Sequence, residues 1–266
     1  MFLSKELCYV ELEKTAVNYI RETYLKNIKN GVITGAHDFI DENIISDKPL
    51  FVGSIRNPYD WYISRWSYGC MREHNDSLFR NLIKKRLRFS RNREVNTNNI
   101  KKIKFFINQI IKSTNYWKKL YSNPRSAENF RTWLKSLLKN NKKKDLAEHY
   151  FFSNLFNNFG YLTYRYLIMF TLPKKRDEIF NNNEQNYDGL LKFDSENNFI
   201  DQFIKFENLN EGLEISLNKI GIEFKDQLNK LNKSERISDI DYYYDKETKD
   251  MVKNFDRFIF EKHDYN

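Results

Sequence analysis

Two short stretches of the chain carry residues suited to holding a phosphate or a sulfate. The first is Lys14-Thr15, which stands between a β-prone run, Leu7-Cys8-Tyr9-Val10-Glu11-Leu12, and a segment from Val17 to Ile28. In that segment Val17, Ile20, Tyr24, Leu25 and Ile28 recur at helical spacing. A helix N-terminus presents unpaired backbone N–H groups and the positive end of the helix dipole, so it attracts anions. Lys14 adds a full charge and Thr15 a hydroxyl. The second stretch runs from Ser54 to Ser64. Arg56 there follows an apolar run, Leu50 to Ile55, which reads as a buried parallel strand. Open α/β sheets bind ligands beyond the carboxyl ends of such strands. Ser64 lies two turns into the helix that Pro58 opens, so a guanidinium and a hydroxyl are available for a second anion. Between the two stretches lies His37, in Thr34-Gly35-Ala36-His37-Asp38-Phe39. A structural role and a catalytic one are both open to it.

Other chemistries lack their residues. Lys14-Thr15 is no Walker A loop, because no Gly precedes Lys14, and a nucleotide hydrolase is disfavoured. Cys8 and Cys70 cannot frame a disulfide scaffold or a zinc site, and no Cys/His/Asp cluster has metal spacing. Glu207 has no visible carboxylate partner for glycosidase chemistry and is expected to tie loops together.

The elements that must position these residues alternate strand and helix. Leu7 to Leu12, Leu50 to Ile55 and Phe199 to Ile204 read as strands. Val17 to Ile28, Tyr59 to Tyr68, Ala127 to Leu138, part of Asp145 to Arg176, Leu213 to Ile220 and the tail Tyr242 to Phe260 read as helices. Gly31 to His37 with the Asp-rich stretch after it, and Asn181 to Asn198, read as loops. This order predicts an α/β fold, a parallel sheet with helices on both faces. A single domain over residues 1–266 is expected. The +9 net charge is uneven: Arg72 to Lys144 holds 21 Lys and Arg against 4 Asp and Glu. Residues 72–144 are therefore expected to form a basic, mainly helical insertion that faces an anionic acceptor. Trp61, Tyr62 and Trp66 have core spacing, and Tyr116 and Trp117 are expected to touch the acceptor. No apolar stretch is long enough to span a bilayer, and the N-terminus does not read as a signal peptide, so a cytoplasmic protein is expected.

Taken together, the two anion stretches resemble those of the PAPS-dependent sulfotransferases, where PAPS is 3′-phosphoadenosine 5′-phosphosulfate. Leu12-Glu13-Lys14-Thr15-Ala16-Val17-Asn18 resembles the family's 5′-phosphosulfate motif, with Glu13 in place of the usual Pro. Arg56-Asn57-Pro58 through Ser64-Arg65-Trp66 resembles its 3′-phosphate motif. Further similarity runs through Phe130 to Leu134, Gly160 to Tyr166, Ile204 to Leu209, Leu231 to Arg236 and Asp241 to Tyr244. The likeness covers most of the chain outside roughly Lys84 to Asn123, and it is strongest to the branch that sulfates carbohydrates.

The resemblance implies a P-loop-NTPase-like fold and transfer of a sulfuryl group from PAPS to an acceptor hydroxyl, on a glycan. It implies that Lys14 neutralises the leaving phosphate and that Thr15, Ala16, Val17 and Asn18 shape the 5′ site. Arg56 and Ser64 would grip the 3′-phosphate, and Lys233 or Arg236 would close over the nucleotide. His37 would be the base, and no metal is required. The competing expectation is a catalytically degenerate module of the same fold that holds an anionic glycan or a nucleic acid.

Overall fold

The structure is a computed structural model that describes residues 1–71, 77–85, 99–139, 141–146, 149–181, 186–224 and 235–266. The expectation for Lys233 falls outside these residues. The chain divides into two compact units. The first holds Met1–Asn57, Arg165–Arg176 and Lys192–Lys233; the second holds Pro58–Tyr164, Asp177–Leu191 and Ser234–Asn266.

The described strands are β1 (Phe2–Leu3), β2 (Leu7–Val10), β3 (Val32–Ile33), β4 (Leu50–Ile55) and β5 (Gln202–Lys205). The α-helices are α1 (Val17–Asn27), α2 (Glu42–Asp47), α3 (Pro58–Cys70), α4 (Ser77–Ile83), α5 (Asn99–Ile111), α6 (Thr114–Leu120) and α7 (Ala127–Leu138). They continue with α8 (Tyr161–Phe170), α9 (Glu178–Asn181), α10 (Tyr187–Asn197), α11 (Leu209–Lys219), α12 (Ile240–Tyr243), α13 (Lys246–Phe255) and α14 (Arg257–Lys262).

The first unit carries a five-stranded sheet in the order β3-β1-β2-β4-β5. The protein is α/β, but the sheet is mixed rather than wholly parallel. Pairs β2–β4 and β4–β5 are parallel, as expected, whereas β1 runs antiparallel to both β2 and β3. The reason is the connection. Only Ser4, Lys5 and Glu6 separate β1 from β2, too few for a crossover. The Ser4 hydroxyl accepts from the Leu7 and Glu6 amides at 3.0 and 3.2 Å and closes the turn.

One sheet face packs Leu7, Tyr9, Val52 and Ile204 against Ile20 and Tyr24 of α1 and Leu213 and Leu217 of α11. On the other face the rings of Tyr166 and Phe170 lie 5.6 and 5.1 Å from that of Phe203. Gly53 is required there, since a Cβ would meet the Phe203 ring at 2.8 Å.

Three other readings are corrected. The stretch after Gly31 is not a plain loop: it contains β3 and α2, the latter capped by Asp41 accepting from the Ile44 amide at 3.0 Å. Within Asn181 to Asn198 lies α10, whose inward positions Leu190, Phe193, Asp194 and Asn197 follow helical spacing. Two of these four are polar, which hides the period from a hydrophobicity reading. The tail is three helices rather than one, with a capping box of Asp245 and Thr248 starting α13.

The second unit is helical and aromatic. Trp61, Tyr62 and Trp66 are fully buried, as their spacing predicts, and the Trp66 indole donates to the Leu120 carbonyl at 3.0 Å. Trp117 is also fully buried, with its indole N–H 2.7 Å from Asp145 Oδ2, so it does not face an acceptor. Tyr116 is half-buried and its hydroxyl lies 2.6 Å from Ser136 Oγ. Parts of the basic segment also serve the fold. Lys143 Nζ donates to the Phe156 carbonyl at 2.6 Å, and burial lowers its pKa to about 8.

Asp256 is the buried polar hub of this unit. Its carboxylate accepts from Tyr62 Oη at 2.7 Å and from the Thr163 amide and hydroxyl at 2.8 Å each. Burial nevertheless raises its pKa from 3.8 to about 6. The folded state then binds this proton more tightly than the unfolded chain. The group's contribution therefore favours folding as pH falls from about 6 toward 4, and vanishes above about 7. Against Asp256→Asn, the parent should gain about 2 kcal/mol of relative stability between pH 7 and pH 4.5. Urea unfolding of both proteins at the two pH values reads the difference directly. A constant gap would show that Asp256 is ionised throughout.

Candidate functional site

Parallel register brings three loops to one edge of the sheet. Val10 of β2 pairs with Gly53 of β4, and Ile55 of β4 pairs with Lys205 of β5. The chain leaving β2 through Glu11 to Ala16, the chain leaving β4 at Arg56 and Asn57, and the turn Phe206–Asn208 therefore emerge side by side at the carboxyl ends of the strands. Side-chain contacts tie them. Arg56 is buried, donates from Nη1 to the Lys14 carbonyl at 2.9 Å, and sits 3.7 Å above the Phe206 ring centroid. The Asn57 amide donates to Glu207 Oε1 at 2.8 Å, the loop-tying role expected of that carboxylate.

The Lys14 loop is bent sharply. Lys14 and Ala16 both have left-handed backbone, φ 68° and 64°. Each non-glycine residue in that region costs roughly 1–2 kcal/mol, so the surroundings must hold it there. Thr15 does part of this. Its hydroxyl is fully buried, 2.6 Å from the Leu12 carbonyl and 2.6 Å from Ser54 Oγ, which in turn lies 2.7 Å from the Tyr9 hydroxyl. The expectation that the Thr15 side chain faces an anion is thus corrected: its hydroxyl anchors the loop to the sheet. A tight turn followed by a helix start turns backbone N–H groups into an anion-binding concavity. Ala16 caps α1 without a side-chain acceptor, so these donors are not capped from that position. Lys14 and Val17 are half-buried and Asn18, in the first turn, is exposed.

Two acidic residues precede Lys14, and both are matched. Glu13 is buried and accepts a two-pronged contact from Arg165, Nε to Oε1 at 2.8 Å and Nη2 to Oε2 at 3.1 Å. The residue that departs from the family motif is thereby neutralised, and no bare negative charge from it faces the loop. Glu11 is fully buried and binds Arg21, with Nη2 to Oε2 at 2.6 Å.

Glu11 also holds His37. The His37 amide donates to Glu11 Oε2 at 3.0 Å, and His37 Nδ1 lies 3.3 Å from the Glu11 carbonyl oxygen. A carbonyl only accepts, so this contact puts the proton on Nδ1 and leaves the lone pair on Nε2. The His37 backbone is left-handed, φ 55°, and its side chain is 35% exposed. Burial pushes its pKa below the usual histidine value, against the opposing pull of Glu13 and Glu11. Arg165 works in the same direction as burial. The ring is therefore neutral at pH 7, the form in which it can take a proton.

Lys14, Thr15, Ala16, Val17, Asn18, His37 and Arg56 thus belong to one unit. Ser64 and Arg236 belong to the other. Ser64 is half-buried on α3. Arg236 Nη2 pairs with Asp60 Oδ1 at 2.5 Å, so its guanidinium braces the first turn of α3. Glu11, Arg165 and Ser54 were not singled out by the sequence reading. Glu11 and Glu13, acidic residues at the end of a buried strand, are the one signal that cations must meet them. Among the described residues no group of His, Cys, Asp and Glu could hold a metal ion. Comparison of the chain with protein-family models, curated proteins and solved structures finds no match in any of the three.

Proposed function

We propose that this chain is a sulfotransferase of P-loop-like fold that moves a sulfuryl group from PAPS to a hydroxyl of an acceptor, on a carbohydrate. One observation carries the reading: the loop that bears Lys14 and the residue Arg56 are joined by a 2.9 Å hydrogen bond at the carboxyl edge of parallel strands. PAPS, when bound, supplies the sulfuryl group already activated on a phosphate. Such transfers are governed by positioning and charge neutralisation rather than by covalent chemistry from the protein. Lys14 and the backbone donors that begin α1 would hold the 5′ end, and Lys14 would offset charge as it gathers on the leaving phosphate. Arg56 would meet the 3′-phosphate. His37 Nε2 would take the acceptor's proton as the new oxygen–sulfur bond forms. The roles given to Ser64, Lys233 and Arg236 rest on the sequence motifs alone.

The test begins with PAP, the desulfated product. Its addition should raise the melting temperature in step with concentration, by about 2.7 kcal/mol of stabilisation at a hundredfold excess over Kd. Arg56→Ala should weaken PAP by roughly 1.5–3 kcal/mol and should weaken adenosine 5′-phosphosulfate, which lacks the 3′-phosphate, by less. Equal losses for both ligands would mean that Arg56 only props the Lys14 loop. No response to millimolar PAP would sink the reading and favour the non-catalytic module. That alternative draws on Thr15, whose hydroxyl is spent inside the fold.

A further inference from the structure

Helix α5 is amphipathic, but turned the wrong way round. Its inward side chains include Phe105 and the fully buried Gln109, and Lys112, one residue past its end, is only 3% exposed. Lys112 Nζ donates to the Asn81 carbonyl at 2.6 Å, to Gln109 Oε1 at 2.7 Å and to the Asp145 carbonyl at 3.2 Å, so these buried polar groups are satisfied. Outward stand Ile103, Ile107, Ile110 and Ile111, exposed by 59, 52, 58 and 71%. The spacings of four, three and one put all four on a single stripe of the helix. A surface helix ordinarily shows the reverse, and a contiguous exposed apolar stripe marks a contact surface.

The charge around the stripe limits what can cover it. Lys104 is exposed beside it and Lys102 is half-buried; Lys84 and Lys85 are exposed nearby, with Lys85 Nζ donating to the Ile110 carbonyl at 2.5 Å. From Lys84 to Lys112 the sequence has ten Lys and Arg and one acidic residue, Glu94. A second copy would set two such like-charged stretches against each other. Nucleic acid bases stack on aromatic faces, not on branched aliphatic side chains. A polyanionic glycan offers no apolar surface to an isoleucine stripe. An anionic bilayer offers both partners: headgroups for the lysines and the acyl boundary for the isoleucines.

We propose that α5 is a peripheral membrane contact that lies in the plane of an anionic lipid surface. Its 13 residues lie along the interface with Ile103, Ile107, Ile110 and Ile111 inward and Lys102 and Lys104 at headgroup level. This inference does not depend on the sulfotransferase reading.

The full chain should co-sediment with vesicles of phosphatidylcholine containing about 30% phosphatidylglycerol, and at least about tenfold less with phosphatidylcholine alone. The double variant Ile107→Asp/Ile111→Asp should keep the parent's melting temperature, because both side chains are exposed, and lose at least about tenfold in binding. Ile107→Trp supplies a second readout: its fluorescence should be that of an exposed indole in buffer and shift to the blue on anionic vesicles. Absence of parent binding to anionic vesicles, or equal binding by the double variant, overturns the proposal. So does Ile107→Trp emission that is already blue before lipid is added, which means that the chain itself covers the stripe. A lipid-free dimer that the aspartates abolish overturns it in favour of self-association.

Discussion

Lys14→Ala is expected to fold as the parent does and to lose about 10²–10³ in turnover, the scale for removing one preorganised charge donor from a reacting group. The fold should survive because contacts made without the lysine side chain anchor this loop. Arg56 binds the Lys14 carbonyl, and the Thr15 hydroxyl holds the loop to Leu12 and Ser54; alanine at position 14 keeps all of these contacts. What is lost is the ammonium alone. If the loss appears in kcat while PAP still raises the melting temperature, Lys14 acts on the charge that develops during transfer. If kcat holds and only affinity falls, Lys14 binds the nucleotide uniformly and takes no part in the step. Turnover within threefold of the parent would place Lys14 away from the sulfate altogether.

His37→Ala should lower kcat by about 10²–10⁴, the range for losing a general base, and leave PAP affinity nearly unchanged. An acceptor hydroxyl is a weak nucleophile until its proton is taken. The Glu11 carbonyl fixes the proton on Nδ1, and burial keeps the ring neutral at physiological pH, so Nε2 is available to take one. The direction of the pH dependence follows. The base works unprotonated, so activity should fall as pH drops through the pKa of His37 and stay level above it. That limb should lie below about pH 6.5, because burial lowers the value, and it should vanish in the variant. The groups facing the ring are Glu11, Glu13 and Arg165. Loss of stability and of PAP binding together would identify His37 as a brace for its left-handed turn instead, since its ring is also bound to the Glu11 carbonyl.

How much of this was legible in the chain varies by element. β4 was read to the residue: Leu50 to Ile55 is an unbroken apolar run that ends at Arg-Asn-Pro, and a strand buried on both faces has that signature. α7 was equally plain, from Ala127 to Leu138, with Ser126 accepting from the Asn129 amide to start it. The two-residue strands β1 and β3 were not legible, because two residues carry no period. α10 was missed because Asp194 and Asn197 occupy inward positions that a hydrophobicity reading expects to be apolar.

The site divides in the same way. Lys14, Arg56 and His37 could be named from residue type and from their places after strands or between them. What they touch could not. Trp117 has the composition of a surface binding group, amid lysines, yet it is buried against Asp145. Thr15 was read as a ligand group and is an anchor. Glu13 meets Arg165 across 152 positions of sequence, and no local pattern joins them. The sequence by itself determined which segments become strand or helix, since periodicity and capping act between residues a few positions apart. It also determined that strongly basic residues follow strand ends. Only the tertiary structure decided which hydroxyl turns inward, which carboxylate is neutralised and which face of α5 stays bare. Burying a polar or charged group is costly without a partner, and the fold can supply that partner from any distance along the chain.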